Sequence, residues 1–159
     1  SRCLRAWTPP GTRMSEPAPN SQPDDDTPLD VEAGIMEICR RDGRFAPAAY
    51  RFVMWEGIEY TTKEYLKLTE KTRRHLTGQE VCEGLRRLAL HQFGYMAYDV
   101  WRSWGIRTTR DWGEIIFNLC DHKLLQRTEK DRVEDFDNVY DLEKGLKQAF
   151  RFEDAVSKA

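Results

Sequence analysis

The stretch 77-TGQEVCEGLRRLALHQFGYMAYDVWRSWGIRTTRDWGEIIFNLC-120 decides the fold. Thr77 and Glu80 form a capping box, in which each side chain satisfies the other's backbone N–H. The box opens a helix over about 78–93, with Val81, Cys82, Leu85, Leu88, Ala89 and Gln92 on one face and Gly94 as its stop. A second helix, about 95–104, aligns Ala97, Val100, Trp101 and Trp104 before Gly105. Thr108 and Asp111 open a third, whose Trp112, Ile115, Ile116, Leu119 and Cys120 give the cleanest helical period in the chain. Phe93, Trp101, Trp104, Trp112 and Phe117 fall where these three helices must meet, which predicts an aromatic core.

Upstream, Thr27 as N-cap and Pro28 at the first helical position predict a helix over about 28–41 with Ile35, Ile38 and Cys39 on one face. Another begins near Pro47, where Tyr50, Val53, Met54, Gly57 and Ile58 form a stripe and Phe52 and Trp55 lie off it. Thr61 to Glu64 read as a fresh capping box, and 69–75 as a loop. Downstream, Leu124–Thr128 and Asn138–Leu142 read as the two strands of a hairpin, and 142–152 as a last amphipathic segment with Leu142, Leu146, Ala149 and Phe150. The expected fold class is mainly α, about six helices with a short C-terminal β-hairpin and a winged-helix-like core.

Six of the seven prolines fall within residues 1–29, together with Asp24, Asp25 and Asp26. Such a stretch buries too little apolar surface to offset its ordering entropy, so it reads as a disordered tail. Met14 could open a chain of its own, with residues 1–13 then upstream translation or an appended remnant. Residues 30–152 are expected to form a single helical domain, and 153–159 a frayed end. The formal net charge of −2 argues against a general nucleic-acid coat. No apolar run reaches the ~18 residues that a membrane span needs. The four cysteines, at 3, 39, 82 and 120, form no CxxC and read as free thiols in a reducing, cytoplasmic setting.

A resemblance can be stated on these residues. HLTGQEVCEGLR from His75, ALHQFG from Ala89, WGI from Trp104 and DWGEIIFNL from Asp111 resemble an uncharacterised family restricted to planctomycetes and verrucomicrobia. ICRRDGRF from Ile38, AYRFV from Ala49, Leu124-Leu125, TEKD from Thr128, Asp135-Phe136 and Tyr140-Asp141 continue it, so the likeness covers about residues 30–150. The chain departs from that pattern at Tyr95, where proline is usual, and at Trp112, where phenylalanine is. The resemblance implies no defined activity.

If the core is a winged helix, the helix after Thr108 would enter the major groove and the hairpin would touch the backbone. A DNA-binding regulator of that kind would use Arg107, Arg110 and Lys123. Against it stand Glu114 and Asp121 on that helix and Glu129, Asp131, Glu134, Asp135, Asp137 and Asp141 around the hairpin, because binding to a polyanion needs net cations. Arg73 and Arg74, with Arg86 and Arg87 one turn or so beyond Thr77, could hold an anion at a helix N-terminus or pair with Glu80 and Glu83. Cys120 and His122 are too few and wrongly spaced for zinc. Cys82 or Cys120 with His75 or His91 gives no recognisable nucleophile, and no glycine-rich phosphate loop is present. No catalytic residue, cofactor or metal is therefore expected. Trp55, Tyr98 and Phe117 are the candidates for a partner surface. The favoured reading is a non-catalytic cytoplasmic protein-interaction module that binds a partner or a second copy of itself. A winged-helix regulator is the alternative, and an enzyme of unrecognised class a third.

Overall fold

A computed structural model describes residues 2–4, 30–126 and 131–148. The expectations for 5–29 and 153–159, and the apolar positions Ala149 and Phe150, lie outside the described residues. The described chain is mainly helical. Helix α1 (Val31–Arg41) starts at Asp30, whose carboxylate accepts the Ala33 N–H at 3.2 Å; the cap is Asp30 and not Thr27. Helix α2 (Pro47–Arg51) begins with proline at its first turn and continues through a wide turn, Phe52–Gly57, into α3 (Ile58–Tyr60) and a second wide turn, Thr61–Tyr65. Helices α4 (Gly78–Phe93), α5 (Ala97–Ser103) and α6 (Thr109–Asp121) follow, with a single 3₁₀ turn, Gly94–Met96, before α5.

The wide winding has a cause in the sequence. Val53, Gly57 and Thr61, and alongside them Met54, Ile58 and Thr62, recur every fourth residue, and all six are buried. At ~100° per residue, two such steps drift ~80° around a normal α-helix. Wider turns with i→i+5 bonds keep both rows on the core side. The Ile58 N–H bonds to Val53 O, and the Leu66 N–H reaches Thr61 O at 3.0 Å. The helical restart expected at Thr61 does not occur. Thr61 and Thr62 instead donate back to Gly57 O and Ile58 O, at 2.7 and 2.8 Å, so both buried hydroxyls are satisfied inside one continuous helix.

The helices share one core, with α4 and α6 packed at its centre. Phe52 lies at its aromatic centre, with ring centroids 5.3 Å from Trp104, 5.8 Å from Trp112, 6.1 Å from Phe93 and 6.2 Å from Trp101. Trp101 and Trp112 meet edge to face at 4.9 Å. Phe117 packs half-buried against the core but outside these ring pairs. Phe52 was expected off the apolar stripe, and the wide turn brings it in.

No strand forms among the described residues of the expected hairpin. Leu124 and Leu125 are buried in a bend, Val133–Phe136 makes a 3₁₀ turn, and Asn138–Asp141 is irregular. The reason is a competing partner for this backbone. Buried Thr109 at the start of α6 donates to Phe136 O at 2.6 Å and accepts the Val139 N–H at 3.2 Å, which clamps the segment to α6. Phe136 also fills the space that Gly113 leaves open on α6. Among the described residues the strand pairing is elsewhere: β1 (Arg2–Leu4) runs antiparallel to β2 (Leu76–Thr77), just before α4. The last segment, Glu143–Gln148, is a wide helical turn that buries Leu146, with Leu142 buried just before it.

Two glycines give opposed expectations. A Cβ on Gly84 of α4 would collide with the Thr61 side chain, whereas one on Gly43 meets nothing within 4 Å. Gly84→Ala should lose about 1–2 kcal/mol, overpacking outweighing helix propensity, while Gly43→Ala should change stability by less than ~0.5 kcal/mol. Thr109→Val should cost about 1–3 kcal/mol by orphaning Phe136 O and Val139 N, and Thr109→Ser should recover most of it. Urea unfolding midpoints read all four variants.

Candidate interaction surface

Helix α6 fixes what the surface can be. Thr109, Trp112, Gly113, Ile115, Ile116 and Leu119 are buried, and Arg110, Asp111, Glu114, Phe117, Asn118 and Cys120 are half-buried. Within the helix Asp121 alone is exposed. Helices α1, α2 and α4 and the Val133–Phe136 turn lie against it.

Its polar side chains are tied down by residues distant in sequence. Arg44, in the loop after α1, grips Asp42 through Nε and Nη2 at 2.9 and 2.7 Å and also bonds Glu114. Arg110 donates from Nη1 to both oxygens of Asp137 at 3.0 Å and faces Glu114 at 3.6 Å. The Asn118 amide donates to Asp42 Oδ2 at 3.2 Å and to the buried Tyr50 hydroxyl at 3.1 Å. The Arg44 guanidinium holds the Asp42 carboxyl down at about 2. Burial pushes the Tyr50 phenol up to about 12.

The basic candidates are mostly neutralised at home. Arg74 forks onto Glu80 at 2.8 and 2.7 Å, while Glu80 also accepts the Thr77 N–H at 3.0 Å, so the N-terminus of α4 already holds a carboxylate where an anion was considered. Arg86 and Arg87 share Glu83, at 2.5 and 3.0 Å. Burial pushes Glu83 up, but the two arginine hydrogen bonds outweigh it and keep the carboxyl below its ordinary value. Arg86 also donates to Gly145 O at 3.2 Å, and Arg87 lies over the Tyr65 ring at 4.3 Å. Arg73 faces Glu70 at 3.5 Å. Arg107 and Lys123 are exposed, but they flank opposite ends of α6. At 1.5 Å per residue they stand roughly 20 Å apart and form no patch.

The apolar candidates separate differently. Trp55 is 39% exposed. Tyr98 is half-buried beside two cations, Arg102 at 5.8 Å and Lys147 at 5.9 Å from its ring centroid, and Phe117 is half-buried on the core. Of the three, Trp55 alone is exposed. Met36, Tyr95 and Met96, none of them a candidate for the partner surface from the sequence, are 52%, 49% and 54% exposed. Hydrogen bonds link the elements that carry them. Glu32, one turn before Met36 on α1, accepts from Arg51 at 3.0 Å and from the Trp55 indole at 3.4 Å. Glu56, next to Trp55, accepts from Gln92 at 2.6 Å, just before the turn that carries Tyr95 and Met96. Tyr95 and Met96 lie between two helical faces that each seemed complete, so no periodic signal marks them; Met36 follows Ile35 out of step with α1's stripe, which is a weak signal.

Cys82 is buried, and Cys39 and Cys120 are half-buried. No group of three or more His, Cys, Asp or Glu among the described residues could hold a metal ion, and no described helix is long and apolar enough to cross a membrane. No family model matches the chain, and no curated protein or solved structure is significantly similar to it.

Strong acid should loosen the Asp42 clamp. Asp42 shifts from an ordinary 3.8 to about 2 in the fold, so its contribution is complete above about pH 4 and is lost as pH falls toward 2. The contribution is at most about 2 kcal/mol. Asp42→Asn should lower stability at neutral pH and flatten the pH dependence between about pH 4 and 2, as read from urea midpoints across that range.

Proposed function

We propose that the chain is a non-catalytic protein-interaction module, of the bacterial family its sequence resembles, working in the cytoplasm and docking a protein partner or a second copy of itself. The observation that carries this is the exposure of four large apolar side chains, Met36, Trp55, Tyr95 and Met96, on elements joined through Glu32 and through Glu56–Gln92. Contiguous exposed apolar surface rimmed by polar groups marks a protein contact. Aromatic and Met side chains are also the types enriched in the centres of such contacts.

A winged-helix regulator is the weaker reading. Its recognition helix would be α6, whose residues are buried or half-buried apart from Asp121, and Arg110 is already paired with Asp137. Covered side chains reach no base edges, and paired arginines release few counterions.

The test is concentration-dependent light scattering of the full chain, together with photo-crosslinking from position 96 in cells. A dimer, or one reproducible crosslinked protein, is expected; Trp55→Ser with Met96→Ser should weaken it at least tenfold without changing the circular dichroism spectrum. A monomer at every concentration with no crosslinked species sinks the proposal. Fluorescence anisotropy with duplex DNA should show no more than weak, sequence-independent binding; tight binding that falls steeply with salt and with Arg107→Gln would instead restore the regulator.

A further inference from the structure

We draw no further inference here: the strongest candidate, the apolar face carried by Met36 on α1, Trp55 on the wide turn and Tyr95 and Met96 beyond α4, belongs to the surface already described, and nothing in the structure shows what covers it.

Discussion

Helix α6 packs against four neighbouring elements and keeps little solvent face. A surface helix buries one stripe and leaves the rest to water. Helix α6 buries its stripe and then has its flanks closed by α1, α2, α4 and the Val133–Phe136 turn. Burying Trp112, Ile115, Ile116 and Leu119 supplies apolar stabilisation of about 1.5–3 kcal/mol per side chain against an exposed reference. Covering the flanks adds little apolar area, and it obliges every polar group there to find a partner inside the protein.

That obligation explains the polar architecture. Thr109, Arg110, Glu114 and Asn118 are each satisfied by a group from another part of the chain: Phe136 O, Asp137, Arg44 and Asp42. For buried Thr109, losing the hydroxyl would leave Phe136 O and the Val139 N–H with the full desolvation penalty of unsatisfied groups, whereas the half-exposed ion pairs contribute less each. The same pairing consumes the charges that a nucleic-acid reader would need. The structural requirement and the electrostatic character of the surface thus have one cause.

The legible part of the fold is the part written in local chemistry. The box of Thr77 and Glu80 placed the start of α4, and the stripe from Trp112 to Leu119 placed the buried face of α6. Both signals are contained within one or two turns. What could not be read was settled by contacts far apart in sequence. The fate of Val133–Tyr140 turns on the Thr109 hydroxyl, 27 residues from its acceptor, and a β-like alternation at Val139 and Tyr140 could not reveal that competitor. The wide helix was half-visible, since a four-residue repeat of buried positions was present in 53–62. Judged against a period of 3.6 it looked like a helix buried on several sides. For the surface, Trp55 was legible as a residue off its stripe, whereas Tyr98 and Phe117 had the same appearance and pack against the core instead.

The position of Trp55 follows from that winding. Turning Val53, Met54, Gly57 and Ile58 inward leaves 55, 56 and 59 outward, so the ring cannot join the Phe52 cluster without unwinding the helix that builds it. Its indole edge is held by Glu32, which Arg51 orients in turn. An aromatic fixed by one polar edge presents its apolar face with little rotamer freedom left to lose on contact. Leu and Ile in the core gain from exclusion of water; a tryptophan fixed at the boundary gains only when something else excludes it. The Glu32 bond stabilises that placement, and the exposed part of the ring is what the proposed contact would cover.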